Sequence, residues 1–156
     1  MITRELKPME PLSRIATALL SFALFCAAAT AQAENSLDAV RIQSLLEFNA
    51  ILITEVDVVF VYDQGIAEQL PATKGEWYAR KYDLLQNDVA GLEVVTTSIP
   101  QGFDSAFVIL PERSRDAVNI FAVGYHEGQD IPIHDLTGLE NALIQIDQFG
   151  IRVSGQ

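Results

Sequence analysis

The side chains best suited to metal or acid–base chemistry are the two histidines, His126 and His134, eight residues apart in one polar stretch. Glu127 and Asp135 lie directly beside them, and Asp130 lies between them. Imidazole and carboxylate groups together could hold a metal ion or act as a general base. No helix or hairpin is predicted that would bring these groups together. We therefore interpret both histidines as solvated loop residues and predict no metal site and no cofactor.

Hydrolysis by two carboxylates is the other chemistry that this composition allows. The sequence has no glycine-rich phosphate loop, no Gly-x-Ser-x-Gly and no His-Glu-x-x-His. Acids are abundant, but the fold sets the distance between two carboxylates, and nothing in the sequence selects a pair. We predict no catalytic residue and a non-catalytic function, with a small ligand-binding domain or a carboxylate-based hydrolase as the alternative.

The chain is acidic, with 21 Asp and Glu against 10 Lys and Arg and a formal net charge of −11. Such a surface repels the phosphates of nucleic acids, which argues against a nucleic-acid partner. The acids are scattered along the chain, which is typical of a soluble surface. The single cysteine, Cys26, lies near the N-terminus, so the chain after it has neither a disulfide nor a thiol nucleophile.

The first 33 residues have the organisation of a secretory signal peptide. Arg4, Lys7 and Arg14 precede the uncharged run Ile15–Phe25, and Ala31-Gln32-Ala33 follows as a cleavage site. The run is too short to span a bilayer as a helix. We expect a signal peptide over 1–33 and one exported domain over 34–156. A start at Met9 would leave this expectation unchanged.

Cys26 raises the possibility of a lipid anchor. A lipoprotein signal places a small residue directly before its cysteine, whereas Phe25 occupies that position here. We therefore expect Cys26 to be removed with the signal peptide. Membrane or outer-membrane association would follow only if Cys26 were lipidated.

The predicted centre of the domain is a strand over Val56–Tyr62, which has large apolar residues on both of its faces. The strongest helix signal is Thr73 with Glu76, a capping box that opens a helix reaching about Asn87. The helix is expected to pack one face on the sheet. That apolar face comprises Trp77, Tyr78, Tyr82, Leu84, Leu85 and Val89.

Lys81 falls in the middle of this apolar face. We expect its stem to pack while its ammonium reaches water. The alternative is a buried ion pair with a carboxylate such as Asp57 or Asp63.

The remaining pattern is β-rich. The predicted strands are 38–48, 56–62, 92–99, 103–110, 117–125, 131–135, 142–147 and 151–154, the last two either separate or one strand bent at Gly150. The pattern of residues 38–48 would also suit a helix, and we favour a strand because β-branched residues come early in the run. Asp63 is expected to cap a short helical turn over Gln64–Leu70. Short strands at close spacing predict a mainly β fold, a sandwich or barrel, with a helical insertion at about 64–90.

The order of parts resembles the type VI secretion lipoprotein family of Gram-negative bacteria, over residues 39–154. The residues that carry the resemblance are Val59-Phe60-Val61-Tyr62, Trp77-Tyr78, Ile99-Pro100-Gln101-Gly102-Phe103 and Phe121-Ala122-Val123-Gly124-Tyr125. The family's anchoring cysteine, expected directly after cleavage, is absent from a good context here. The resemblance implies a transthyretin-like β-sandwich in the periplasm that binds a protein partner of the cell envelope and performs no catalysis.

The expected partner surface is the apolar run before the central strand. Phe48 and Ala50-Ile51-Leu52-Ile53 are its members, and they lie where the strand pattern weakens. If the run is exposed, an apolar patch on so acidic a protein would mark an interface. The alternative is that the run extends the central strand into the core.

The signal-peptide hypothesis predicts a mature protein that begins at Glu34 and carries no lipid. Mass spectrometry of the exported protein measures this directly. A diacylated N-terminal Cys26 would contradict the prediction and place the protein on a membrane.

Overall fold

The computed structural model describes residues 35–46, 55–87, 90–99, 103–125 and 132–156, with only the backbone at Tyr125. The strands are β1 Ala39–Ser44, β2 Glu55–Val61, β3 Leu92–Ser98, β4 Ser105–Phe107, β5 Asn119–Tyr125, β6 His134–Asp135, β7 Asn141–Asp147 and β8 Gly150–Gly155. The helices are α1 Gln64–Ala67, α2 Lys74–Asn87 and a 3₁₀ turn over Ser114–Asp116. The predicted signal peptide over 1–33 falls outside the described residues.

The strands form two four-stranded sheets. The sheet that we call the outer sheet has the order β4-β1-β7-β8, and the middle sheet has the order β3-β2-β5-β6. β1 and β7 pair in parallel, and the other paired strands are antiparallel. A large apolar core joins the two sheets face to face. The predicted fold class is confirmed as a mainly β sandwich, and both helices lie in the predicted insertion between β2 and β3.

β2 is the central strand that the sequence predicts. It pairs with β3 on one side and with β5 on the other, and every residue from Val56 to Val61 is buried. Successive side chains of a strand point to opposite faces. Val58 accordingly packs in the core between the sheets, and Val59 packs in a second core under the helix. Both faces of β2 are buried because the middle sheet lies between the outer sheet and α2.

The two sheets approach closely where β5 passes β8. A Cβ atom added to Gly124 would lie 2.5 Å from the Ile151 side chain, which is closer than real Cβ contacts come. Ile151 is 6% exposed and belongs to the core between the sheets. Gly124 is therefore needed for the backbone of β5 to accept this side chain.

Helix α2 begins with the predicted cap. The Glu76 N–H donates to Thr73 Oγ1 at 3.4 Å, and the Glu76 carboxylate accepts from the Ala72 N–H at 3.2 Å. Trp77 is 1% exposed, which confirms it as the anchor of the helix. The prediction for Tyr82 is wrong, since this side chain is 74% exposed. Tyr82 lies about 140° round the helix from Trp77, beyond the reach of the sheet.

Asp63 caps α1 as predicted, and its Oδ1 accepts from the backbone N–H groups of Gly65 and Ile66. The C-terminal residues 142–154 form a hairpin, with β7 and β8 joined by a two-residue turn that ends at Gly150. The alternative prediction of one strand bent at Gly150 is therefore wrong. The positive φ of 139° at Gly150 favours glycine at this reversal of the chain.

We expect Trp77→Ala to lower the free energy of unfolding by about 3–5 kcal/mol, because it removes a large aromatic side chain from a core. Glu76→Ala, one residue earlier in the same helix, serves as the matched control and should cost about 1 kcal/mol as a lost cap. Since Trp77 is the single tryptophan of the chain, urea unfolding is followed by circular dichroism. Equal losses in the two variants would contradict the buried anchor.

Candidate interaction site

Exposed apolar side chains are concentrated at the outer sheet. Among the described residues, six large hydrophobic side chains are exposed, and one of them, Tyr82, lies on α2. The other five lie on the outer sheet or on loops at its ends: Leu45, Phe103, Phe107, Ile109 and Phe149. Both helices contact the middle sheet, so they leave the far face of the outer sheet open. The apolar surface of the described residues is therefore gathered on one layer of the fold.

Three of these residues lie at the same end of the outer sheet and are called the end cluster: Leu45, Phe103 and Phe149. The pairing of Gln43 with Ser105 places Leu45 opposite Phe103 when the register is continued by two residues. On the other side of β1, the Leu45 N–H donates to the Ile146 carbonyl at 2.7 Å. This contact brings Leu45 beside the end of β7, where the turn that carries Phe149 begins.

The turn between β7 and β8 is fixed by Asp147. Its Oδ1 accepts from the Phe149 N–H at 2.8 Å, and its other oxygen accepts from Arg152. The backbone hydrogen bond from Phe149 is the main cause that lowers the pKa of Asp147. An aspartate that bonds the backbone two residues on is a standard turn device. Here it holds Phe149 in a tight turn with its ring 81% exposed.

The partner residues predicted from the sequence, Phe48 and Ala50-Ile51-Leu52-Ile53, lie outside the described residues. The last described residues before them in the sequence are Leu45 and Leu46. Leu46 packs against the core between the sheets, and Leu45 is 49% exposed. Their assignment as a partner surface stays a prediction. Sequence reasoning missed the end cluster because Leu45, Phe103 and Phe149 are distant along the chain and carry no shared motif.

One carboxylate is completely buried between the middle sheet and the helix. Asp57 on β2 is 0% exposed, and its oxygens accept from Trp77 Nε1 at 2.8 Å and from Thr96 Oγ1 at 2.6 Å. Lys81 Nζ lies 2.8 Å from both oxygens. The expectation that the Lys81 ammonium reaches water is wrong, and the buried pair with Asp57 is correct. Strand alternation points Asp57 at the helix, so the ammonium meets a carboxylate inside this layer.

The buried cluster consists of Asp57, Lys81, Trp77 and Thr96. Its hydrogen bonds indicate a structural role. Both oxygens of Asp57 are occupied by donors of the chain itself, and Lys81 additionally donates to Thr96 Oγ1 at 3.3 Å. A general base or nucleophile needs a lone pair directed at a substrate. The side chain of Lys81 is 14% exposed and is held by the pair. The cluster therefore fixes the helix on the sheet.

The expectation of a solvated loop residue is wrong for His134. His134 lies on β6, paired with Ala122 of β5, and its Nε2 is buried without a hydrogen-bond partner in the described residues. Burial lowers the pKa of His134 and favours the neutral ring. His126 lies outside the described residues. Within the described ranges, no three His, Cys, Asp or Glu side chains are grouped so that they could hold a metal ion.

An open groove lies beside the start of α1. Tyr62, Asp63, Ile66, Asn87, Ala90, Gly91 and Arg113 line it. The Arg113 guanidinium stacks 4.2 Å from the centre of the Tyr62 ring. Burial and the nearby Glu93 carboxylate, to which the Tyr62 hydroxyl donates at 3.1 Å, raise the pKa of Tyr62. Among the residues that line the groove, Asp63 is the one acid, and its Oδ1 is bonded to the backbone of α1.

No helix within the described residues combines the length and the apolar content that crossing a membrane requires.

Comparison with known proteins gives one structural similarity. The sequence matches no protein-family profile and no curated protein. The fold is similar to a solved structure described as Serratia marcescens Lip, a membrane-bound component of the type VI secretion system, with a TM-score of 0.43 and 11% sequence identity. The similarity covers 74% of this chain and 96% of that chain.

The buried pair predicts an asymmetric response to substitution. We expect Lys81→Met to lower the free energy of unfolding by about 3–5 kcal/mol, because it leaves the buried Asp57 without a counter-ion. Adding Asp57→Asn removes the unpaired buried charge and keeps an acceptor for Trp77. The double variant should therefore be more stable than Lys81→Met alone. Arg80→Met, an exposed position on the same helix, should change stability by less than about 0.5 kcal/mol. Urea unfolding followed by circular dichroism measures all three. A double variant no more stable than Lys81→Met would contradict the buried ion pair.

Proposed function

We propose that this chain is an exported, non-catalytic interaction module of the cell envelope. The observation that carries the proposal is the end cluster, three exposed apolar residues that the strand register places at one end of the outer sheet. Exposed apolar side chains that cluster on an acidic, otherwise soluble surface are typical of protein–protein contacts. The partner is a protein, and it docks on this end of the outer sheet.

The chemistry of the described residues supports a binding function over the hydrolase alternative. A carboxylate pair for hydrolysis needs two acids that face a shared cleft. The most deeply buried acid, Asp57, has both oxygens bonded within the fold, and Asp63 in the Tyr62 groove caps a helix. What the fold presents to a second molecule is apolar area.

The finer proposal is that the module belongs to a type VI secretion membrane complex and acts in the periplasm. Its support is the order of parts that the sequence resemblance rests on. Val59–Val61 form the end of the central strand β2, and Tyr62 follows directly. Trp77 is a buried residue of the helical insertion. Phe121–Tyr125 form the end of β5, which pairs with β2. Genes of a secretion apparatus next to this one, or copurification with an inner-membrane component of that apparatus, would support the assignment.

The function is tested by affinity capture from cross-linked envelope extracts with a C-terminally tagged chain. We expect the wild-type chain to enrich an envelope protein and Leu45→Asp/Phe149→Asp to enrich it at least about 10-fold less, a loss of about 1.4 kcal/mol in binding. Tyr82→Asp is the matched control, because it changes an exposed aromatic residue on the opposite layer. It should capture the same protein as wild type does.

Unchanged thermal transitions show that the variants are folded. Equal capture by all three chains would contradict the proposed surface, and the absence of any captured protein would contradict the interaction function. The second double variant, Ile51→Asp/Ile53→Asp, tests the surface predicted from the sequence alone. Loss of the partner with an unchanged thermal transition would support that surface, and unfolding would assign the run to the core.

A further inference from the structure

The free edge of β4 is a second surface with its own chemistry. β4 is the last strand of the outer sheet and pairs only with β1 among the described strands. The Ser44 N–H donates to the Asp104 carbonyl, and the Val108 N–H donates to the Val40 carbonyl. In an antiparallel pair, hydrogen-bonded residues alternate with residues whose N–H and C=O groups point away. Ser105, Phe107 and Ile109 therefore direct their backbone groups at the open side.

The side chains at two of these three positions, Phe107 and Ile109, are apolar and exposed. Phe107 is 69% exposed and Ile109 is 85% exposed. Arg41 on the neighbouring strand lies 5.9 Å from the centre of the Phe107 ring and covers only one side of it. An edge with both unpaired backbone groups and exposed apolar side chains is a template for another strand.

The other edges of the two sheets are protected. β6 has two residues and follows Pro132, and β3 carries Glu93 and lies against helix α2. β8 carries Arg152, whose side chain is 71% exposed. Charged residues, proline and covering elements are the ways in which proteins prevent strand addition. Ser105–Leu110 contains no charged residue.

The balance of charges at this edge is compatible with a second copy of the chain. The chain has a formal net charge of −11, so two copies repel each other over most of their surfaces. At the β4 edge the nearby charges are Arg41 and Asp104, which have opposite signs, and the Ser105 hydroxyl lies 3.4 Å from each of them. This edge is therefore a place where a second copy can approach without opposing charge.

We propose that β4 pairs antiparallel with β4 of a second copy of this chain. A two-fold axis beside Phe107 sets this residue opposite Phe107 of the second copy and sets Ser105 opposite Ile109. The same donors and acceptors then serve both copies, as an interface with two-fold symmetry requires. The two outer sheets become one eight-stranded sheet, and the end cluster of each copy stays available for a partner protein.

The contact is short, so the dimer is weak. Stable protein interfaces bury roughly 1,600 Å² in total, and a short strand pair with two large side chains from each copy buries less. We expect a dissociation constant on the order of 10–100 μM, measured by sedimentation equilibrium of the exported protein. Phe107→Asp should weaken the dimer at least about 10-fold, because it places two carboxylates against each other at the axis. Phe149→Asp changes an exposed phenylalanine on the turn between β7 and β8, which β1 separates from β4, and it should leave the dimer unchanged.

Covalent trapping locates the axis. With Cys26 replaced by Ser, Phe107→Cys provides the single thiol of the chain, and oxidation should link two copies through it, since opposed Cα atoms about 5.5 Å apart suit a disulfide. Phe149→Cys should give no such dimer. Two results would each overturn the proposal: a wild-type chain that stays monomeric to about ten times the upper dissociation constant, or a dimer that Phe107→Asp leaves intact. Either could occur with the end cluster still binding a partner, so the two surfaces are tested separately.

Discussion

The ion pair between Asp57 and Lys81 is the contact on which the layering of this protein depends. β2 is buried on both faces, and a buried carboxylate is tolerated only when donors surround it. Lys81 and Trp77 supply those donors from the same face of α2, which holds the helix in one register on the middle sheet. If the helix were shifted along the sheet, the buried charge of Asp57 would lose its donors. The pair therefore fixes the position of the helix on the sheet.

This placement of the helices determines which surfaces remain for other molecules. The insertion between β2 and β3 folds back over the middle sheet, and nothing comparable covers the outer sheet within the described residues. The outer sheet buries one face in the core between the sheets, and neither described α-helix covers its other face. Its alternating strands place Ile42, Ile144 and their neighbours inside, and the same alternation sends Leu45, Phe103 and Phe107 outward. Large apolar residues at outward positions bury little of their surface within the described residues, and the two proposed surfaces are built on them.

The two proposed surfaces use the outer sheet differently. The end cluster gathers side chains from three separate segments and presents apolar area without a free row of backbone groups. The β4 edge presents backbone donors and acceptors together with Phe107 and Ile109. Side-chain area suits a partner with a complementary shape, whereas a free edge suits another strand. A dimer through β4 would bring two end clusters into one assembly and raise the effective concentration for a partner that has two binding sites.

The sequence by itself determined the elements and the fold class. The apolar residues of Val56–Tyr62 predicted a strand buried on both faces, and Thr73 with Glu76 predicted the start of α2. Closely spaced strands predicted a sandwich or barrel, because these signals are local. Tertiary structure alone decided the partner of Lys81 and the exposure of Tyr82. It also decided that Leu45, Phe103 and Phe149 lie at the same end of the outer sheet. Each of these depends on which strand or helix lies opposite, and β1 pairs with β7 about 100 residues away in the chain. Long-range pairing leaves no periodic pattern in the sequence, so the candidate surface could be identified only from the fold.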